Sequence, residues 1–534
     1  MKIALIAGIA ITVAFCLSAF KLFPVQEYMK VSSRNLSYQE SSGRAETLAH
    51  LVPSIISIVG IVPLGLILFG VYKGWKKKTI IFLVAVCLFS FLVSMRGPIL
   101  YLVWKYYPSW QGMRYASRGM VLFAFAGSIL AGAGLKEINE YVKNKSKKIA
   151  LIHIVIILLT IISLLVLGKG PIRIGSDGKQ YEYGNIDEMI KQNEVMQAIS
   201  KMPGIFRMNV FETRGIDWGT EFYTVPLKLE PIFGYETAWL TEYMNEYLSL
   251  AYNDLPKFWG ILNVKYITSK ERINLTGFEM IGEYKPCSIC FPSIPELAKA
   301  YGPYLFENKK FLPRAYIVNN GILVVGEKAS AKDAMYSLML HPAFDPSRSV
   351  IVLGKEKINQ YDIGSLQRFS HVILTKGSVD GEDRILAEYK RKGGIILPDV
   401  LVGKNSISEE DVGRMFSTNS SFVPVADKNI LTVNFDNKKI ALEKEQSGFL
   451  VVSEQYSIYP GWGATVDGKP AEILRADGVI SAVVLDNASK LTFEYKPKSL
   501  QLGVIISIIA AIAIAIYMIY FIYRNYEKKV QSNS

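Results

Sequence analysis

A basic and aromatic segment between two apolar runs carries the side chains best suited to bind a ligand. Its cations are Arg96, Lys105, Arg114 and Arg118, and its aromatic residues are Trp104, Tyr106, Tyr107, Trp110 and Tyr115. Guanidinium groups bind phosphate oxygens in a planar, bidentate way, and aromatic side chains suit the depth of lipid headgroups. Arg114 and Arg118 lie four residues apart at the start of a predicted helix, so their side chains can share one face. The segment therefore predicts a lipid-phosphate site at Arg96, Arg114 and Arg118, or alternatively an aromatic belt whose cations extend to the membrane surface.

The second candidate for chemistry is the cysteine pair Cys287 and Cys290, in the string KPCSICFP. A zinc site would need two more ligands, and the 4 histidines are scattered along the chain, so we predict no metal site and no cofactor. A thioredoxin-like redox role would need a surrounding βαβ frame, which the sequence does not indicate. We expect a local structural disulfide between Cys287 and Cys290 on the outer face of a membrane.

The acidic residues near the C-terminus are explained by turns rather than by catalysis. Asp467 and Asp477 each precede a glycine between alternating apolar stretches, and Asp-Gly is a strong hairpin signal. Tyr459 and Trp462 in the same region suit either stacking on a sugar or packing in a half-buried sheet. The catalytic residues therefore stay unknown at this level.

The elements that must position these residues are set by the hydrophobic pattern. Half of the 534 residues are hydrophobic, and the excess lies at the two ends of the chain, as in a membrane protein with one large soluble insert. The apolar runs are Ile3–Leu22, Leu51–Val71, Ile80–Met95, Met120–Leu135, Ile149–Leu167 and Leu502–Tyr523. The pattern predicts a multi-pass α-helical membrane protein of about six helices with a large extracytoplasmic α/β plus all-β domain.

The net charge of +13 is distributed as in a membrane protein rather than a nucleic-acid-binding protein. Basic residues cluster in segments 73–79, 136–148 and 524–534, at alternating ends of the apolar runs. The positive-inside rule places these segments and both termini in the cytoplasm, and residues 169–500 outside the plasma membrane. The expected partner is therefore the lipid bilayer. The first run also fits a signal peptide, although no clear cleavage site follows it.

The outer half of the chain divides by pattern into several predicted subdomains. Between residues 350 and 400 the order strand, helix, strand, helix, strand indicates a small parallel sheet, and from about residue 429 the pattern is all β. The predicted domains are a membrane region with about five helices (1–168), an α+β subdomain (169–345), a βαβ subdomain (346–403), a β-sandwich-like module (404–500), a transmembrane helix (501–523) and a cytoplasmic tail (524–534).

Several strings resemble one membrane-protein family. The string YPGWGATVDGKPAEILRADGV (459–479) is similar to the C-terminal signature of YfhO-type membrane proteins, which are related to the GT-C glycosyltransferases. FWGILNVKYITSK (258–270), FLPRAYIVNN (311–320), the loop 21–42 and the segment 96–135 resemble further landmarks of that family. The resemblance implies a part in cell-surface glycosylation with a polyprenyl-phosphate sugar as donor, bound at the outer arginines.

The chain departs from the family at the catalytic acid. GT-C enzymes use an acidic residue, usually Asp, in their first outer loop, whereas no Asp precedes Asp177 here. The early outer acids are Glu27, Glu40 and Glu46, in a loop that matches a later one of the family. The chain therefore resembles the C-terminal part of a YfhO-type protein, and a companion chain could supply the missing helices. The alternative is a non-enzymatic membrane protein whose outer domain binds glycan or an envelope partner.

Overall fold

The structure is a computed structural model. It describes residues 2–31, 60–95, 98–106, 119–143, 155–156, 158–162, 186–211, 220–232, 241–287, 302–379, 384–397, 409–417, 422–424, 430–431 and 437–533. The chain divides into two compact units, one of residues 1–33 and 183–534 and the other of residues 34–182. The predicted lipid-site residues Arg96, Arg114 and Arg118, and also Cys290, lie outside the described residues.

Helices and strands are numbered here along the chain. The helices are α1 (Lys2–Met29), α2 (Ile61–Gly74), α3 (Lys78–Ser94), α4 (Pro98–Tyr106), α5 (Met120–Lys143), α6 (Ile186–Gln192), α7 (Glu194–Ser200), α8 (Thr220–Leu227), α9 (Glu242–Ala251), α10 (Leu255–Ile261), α11 (Lys328–Leu340), α12 (Ile363–Leu366), α13 (Arg384–Arg391), α14 (Glu409–Phe416) and α15 (Lys498–Asn533). The strands are β1 (Arg207–Val210), β2 (Glu230–Pro231), β3 (Val264–Ser269), β4 (Phe278–Glu283), β5 (Tyr304–Asn308), β6 (Ala315–Val318), β7 (Asn320–Val325), β8 (Ser349–Leu353), β9 (His371–Leu374), β10 (Ile395–Leu397), β11 (Phe422–Pro424), β12 (Ile430–Leu431), β13 (Asn437–Val452), β14 (Trp462–Val466), β15 (Lys469–Ala471), β16 (Leu474–Ala476) and β17 (Ile480–Tyr495).

In the unit of residues 34–182, helices α2 and α3 pack against α5. A Cβ atom on Gly134 would lie 2.0 Å from the carbonyl oxygen of Leu66, so glycine lets the backbones of α5 and α2 approach closely. The Lys77 ammonium lies 2.8 Å from the Glu137 carboxylate. This ion pair places the end of α2 and residues 136–140 of α5, both in predicted inner segments, at the same end of the helix group.

Two helices of the described chain are long and apolar enough to cross a membrane by length and composition, Met120–Glu140 and Lys498–Arg524. Ile61–Gly74 and Lys78–Ser94 are apolar but shorter. The predicted run Ile149–Leu167 lies mostly outside the described residues. A bundle of about six membrane helices therefore stays a prediction.

The first and last helices of the chain pack against each other as an antiparallel pair. A Cβ atom on Gly503 would lie 2.5 Å from the carbonyl oxygen of Ala19. One turn further along α15, the Ser507 hydroxyl donates to the carbonyl of Cys16 at 3.0 Å. Small residues on α15 thus bring the two backbones together, and α1 belongs to the same unit as residues 183–534.

The smaller sheet has the strand order β2-β1-β3-β5-β4. β1 pairs in parallel with β2 and β3, whereas β5 pairs antiparallel with β3 and β4. Helix α10 leads into β3 through Asn263, which has a left-handed φ of 65° and is fully buried. The Asn263 side-chain amide donates to the carbonyl of Leu312 at 3.0 Å. This buried hydrogen bond joins the sequence landmarks at 258–270 and 311–320.

The larger sheet has the order β10-β9-β7-β8-β16-β17-β13-β6-β11. Its first four strands are parallel and the rest are antiparallel, and β8 meets β16 at the junction of the two halves. The predicted strand–helix alternation between 350 and 400 is confirmed as β8, α12, β9, α13 and β10. The strand β7, from residues 320–325, lies between β8 and β9 and is buried along its whole length. Strands from three predicted subdomains therefore share one sheet.

The two Asp-Gly turns are confirmed. Asp467 and Gly468 have φ values of 46° and 81° and join β14 to β15, as a two-residue turn with both central residues left-handed requires. Asp477 and Gly478 have φ values of 40° and 86° between β16 and β17. After the second turn, β17 runs from Ile480 to Tyr495 and continues through Asn487, which adopts a φ of 44°.

Candidate functional site

A cleft of about 340 Å³ lies where β1, β2 and the segment after β13 meet. Its lining residues are Arg207, Pro231, Ile232, Met244, Leu262, Ser453, Glu454, Gln455, Tyr456, Tyr459, Trp462 and Ile480. Part of this lining, Tyr459 and Trp462, comes from the C-terminal string at 459–479. One side of the cleft is charged and the other is aromatic.

The charged side of the cleft is formed by Arg207 and Glu454. These two belong to a ring of alternating charges that Glu230 and Arg314, outside the lining, complete. The Arg207 guanidinium lies 3.1 Å from the Glu454 carboxylate and 4.0 Å from the Glu230 carboxylate. Arg314 approaches the second carboxylate oxygen of Glu454 at 3.5 Å and also binds Glu230. Glu454 is therefore held between two guanidinium groups, an arrangement suited to a fixed polar surface rather than to proton transfer.

Local backbone geometry positions Arg207. Its N–H donates to the carbonyl of Asn263 at 2.8 Å. This carbonyl is free of the helix because Asn263 turns the chain out of α10. Nη1 of Arg207 donates to the carbonyls of Leu262 at 3.1 Å and Ser453 at 2.7 Å. Burial lowers the pKa of the Arg207 guanidinium, and the nearby Glu454 carboxylate opposes that shift.

Arg314 comes from the string FLPRAYIVNN and stands directly before β6. Its carbonyl accepts from the N–H of Ser453 at 2.9 Å, next to Glu454. The side chain of Arg314 is buried, so its charge depends on the two carboxylates around it. The strings at 258–270, 311–320 and 453–462 therefore meet at one site.

The aromatic side is built on Tyr456 and Trp462, whose rings are 4.4 Å apart. Tyr456 also packs on Phe493 at 4.5 Å, and Trp462 packs on Tyr495 at 5.1 Å. Gly461 makes this possible, because its φ is 99° and a Cβ atom there would lie 2.7 Å from Cα of Pro497. The tight turn before Trp462 thus fixes the ring at the cleft.

The aromatic side continues onto the pair of terminal helices. Tyr459 stacks on Tyr28 near the end of α1, with centroids 5.9 Å apart and planes 6° apart. Glu27, one residue earlier, accepts a hydrogen bond from the Ser499 hydroxyl at the start of α15. Burial and the Glu27 charge raise the pKa of Tyr495. The cleft therefore lies beside the ends of α1 and α15.

Sequence reasoning identified part of this site. It singled out Tyr459 and Trp462 and the string 311–320 that contains Arg314, but it missed Arg207 and Glu230. The signal for Arg207 is weak, because it is one basic residue in the strand-like stretch 206–211. Its partners lie in distant segments of the chain and become neighbours only on folding.

Cys287 is buried and disulfide-bonded, with its Sγ 4.0 Å from the carbonyl oxygen of Met189. Because Cys290 lies outside the described residues, the Cys287–Cys290 pairing stays a prediction. Within the described ranges, no group of three or more His, Cys, Asp and Glu residues could hold a metal ion. Compared with models of protein families, with curated proteins and with solved structures, the chain matches none.

Proposed function

We propose that this chain is a plasma-membrane protein that takes part in cell-surface glycosylation, and that its extracytoplasmic domain binds a glycan in the cleft. The observation that carries the proposal is the pairing of an aromatic side with a fixed ring of charged groups in one concave site. Small-molecule sites are typically concave and largely apolar, with a few fixed polar groups that set orientation.

The membrane part of the proposal is supported by α15. Within Lys498–Arg524, an 18-residue window has a mean hydropathy of 2.8, and only 6% of that window is buried. Side chains such as Ile509, Ile516 and Ile519 are more than half exposed along it. An exposed apolar surface of this length is strongly unfavourable in water but favourable in lipid.

The glycan part is supported by the chemistry of the two sides of the cleft. A sugar ring has an apolar C–H face that packs on rings such as Tyr459 and Trp462, and hydroxyl groups at its edge that need polar partners. Glu454 lines the cleft and offers acceptor oxygens, and Arg207 and Arg314 hold its carboxylate in place. Saccharide binding uses both sides, whereas a purely apolar ligand would use the aromatic side alone.

The donor site belongs to the same proposal and rests on the sequence resemblance. Arg96, Arg114 and Arg118 would bind the phosphate of a polyprenyl-phosphate sugar at the outer face, while the cleft holds the acceptor glycan. In this form the catalytic acid comes from a companion chain or an early outer glutamate. A non-catalytic membrane protein that binds glycan through the same cleft is the alternative.

The test is glycan binding by the full-length protein in lipid nanodiscs. The probes are a panel of methyl glycosides and short oligosaccharides from hydrolysed cell-surface polymers, measured by saturation-transfer NMR. Replacing Tyr459 or Trp462 with Ala removes one ring and should cost about 1.4 kcal/mol of binding free energy. That loss corresponds to a roughly tenfold weaker affinity. Trp462→Phe should keep most of the affinity.

The matched control is Tyr252→Ala, because Tyr252 is 66% exposed and does not line the cleft. It should bind as the wild type does. The glycan proposal fails if no probe binds the wild type, or if Tyr459→Ala, Trp462→Ala and Tyr252→Ala all bind equally well.

A further inference from the structure

Asp477 is a fully buried carboxylic acid outside the cleft. Its Oδ1 accepts from the N–H of Ile351 in β8 at 2.9 Å, and its own N–H donates to the carbonyl of Ile351 at 2.8 Å. Its Oδ2 is buried without a hydrogen-bond partner. A buried oxygen without a hydrogen-bond donor destabilises the folded protein, and the free-energy cost is larger when the oxygen is charged.

Asp477 lies at the junction between the two halves of the larger sheet. The parallel and antiparallel halves of the larger sheet meet where β8 pairs with β16, through the register pairs Arg475–Leu353 and Ala476–Val352. Asp477 follows this short ladder directly and adds its two hydrogen bonds with Ile351 to the junction. A change at Asp477 therefore acts on the contact between the two halves.

The groups that face Asp477 are neutral. Tyr247 from α9 and Tyr336 from α11 approach the neighbouring Gly478, each within about 3.0 Å of a Cβ built there. Burial raises the pKa of the hydroxyls of Tyr247 and of Tyr316 in β6, and the charge of Asp477 adds to both shifts. On its own element, the Arg475 guanidinium lies 3.7 Å from the centre of the Tyr243 ring. No cation among the described residues forms an ion pair with Asp477 within 4.0 Å.

We infer that Asp477 is a proton-dependent latch: its protonated form joins the two halves of the larger sheet, and its ionisation loosens their junction. Ionisation releases the proton to solvent and leaves a carboxylate whose Oδ2 has no donor. The junction relieves that charge by opening enough to hydrate it. Because residues 169–500 are proposed to lie outside the membrane, the latch would respond to external pH.

The direction of the effect follows from burial. Burial raises the pKa of Asp477 to about 7, and the hydrogen bond from Ile351 opposes the shift. An acid whose folded-state pKa is raised stabilises the closed junction at low pH. That stabilisation is lost as the pH rises from 3.8, the ordinary pKa of an aspartic acid, towards about 7, the raised pKa of Asp477. One coupled proton makes opening roughly tenfold more favourable per pH unit within this window.

The chain supplies a matched control in Asp467. Both aspartates have a left-handed φ, both precede a left-handed glycine, and both accept from a neighbouring backbone N–H, which for Asp467 is that of Lys490 at 2.8 Å. They differ in burial, since Asp467 is exposed. Asparagine tolerates this conformation and keeps the acceptor oxygen, so Asp477→Asn and Asp467→Asn isolate the charge.

The experiment is hydrogen-exchange mass spectrometry on the full-length protein in nanodiscs between pH 5 and 8, with rates corrected for intrinsic chemistry. In the wild type, protection of β8 and β16 should fall up to about tenfold per pH unit and level off above about pH 7.5, while β13 changes less. Asp467→Asn should behave as the wild type does, and Asp477→Asn should show no pH dependence.

Two results would overturn the latch. One is wild-type protection of β8 and β16 that stays constant from pH 5 to 8. The other is an Asp477→Asn variant with the same pH slope as the wild type. If the variant does not fold, the wild-type series decides by itself, because it measures loss of protection at the junction relative to β13.

Discussion

Removing the charge of Glu454 is the most direct test of the ring of charges at the cleft. In Glu454→Gln the side chain keeps its size and one acceptor oxygen, but Arg207 and Arg314 lose the carboxylate between them. Their side chains are only 17% and 9% exposed, so water cannot replace the lost partner fully. Two buried cations would then share Glu230 alone.

The expected cost follows from this burial. Removing one member of a buried ion pair typically costs about 3–5 kcal/mol, since the other charge stays buried without compensation. Glutamine still accepts one hydrogen bond and Glu230 remains, so we expect about 3 kcal/mol. Glu230→Gln is the control, because Glu230 is 55% exposed and water screens its charge, and it should cost about 0–1 kcal/mol.

Urea unfolding of the full-length protein in nanodiscs, followed by tryptophan fluorescence, measures both variants. Glu454→Gln should lower the midpoint at an unchanged slope, which reports stability rather than a change in the unfolded state. Equal costs for Glu454→Gln and Glu230→Gln, or a cost below about 1 kcal/mol for Glu454→Gln, would refute the reasoning from burial.

Two further predictions concern the terminal helices and the outer arginines. Ser507→Cys should form a cross-link with the native Cys16 under mild oxidation, because Ser507 contacts the Cys16 carbonyl. Adding Gly503→Leu should abolish this cross-link by separating the two helices. A cross-link that survives Gly503→Leu would contradict the close approach of the helices. Arg114→Lys and Arg118→Lys should each weaken binding of a polyprenyl phosphate about tenfold or more, since lysine keeps the charge but loses the planar fork. Equal binding by the wild type and both variants, with unchanged membrane insertion, would count against the donor site.

Short-range features of this protein are readable from the sequence. The Asp-Gly turns at 467–468 and 477–478 were predicted because their backbone conformation depends on a few neighbouring residues. The end of α13 has the same local character: Gly393 has a left-handed φ of 85°, which glycine adopts without strain, and the N–H of Gly394 donates to the carbonyl of Tyr389 at 2.9 Å. Apolar runs also located α3, α5 and α15 to within a few residues at their starts.

Strand order and the cleft were decided by tertiary structure. β7 precedes the predicted βαβ segment, yet it lies between β8 and β9 because a strand buried on both faces needs covered neighbours on each side. The same turn chemistry left Asp467 exposed and Asp477 fully buried, a difference that arises from what packs against each turn.

The local pattern of the chain by itself determined the two Asp-Gly turns, the strand–helix alternation between 350 and 400, and which runs are apolar enough to suit a membrane. It could not determine that Arg207, Glu230, Arg314 and Glu454 form one ring of charges. Each lies in a different segment, and each interaction depends on backbone hydrogen bonds such as that from Ser453 to the carbonyl of Arg314. Burial and ion pairing act between atoms that are close in space, and those neighbours exist only after distant segments have packed together.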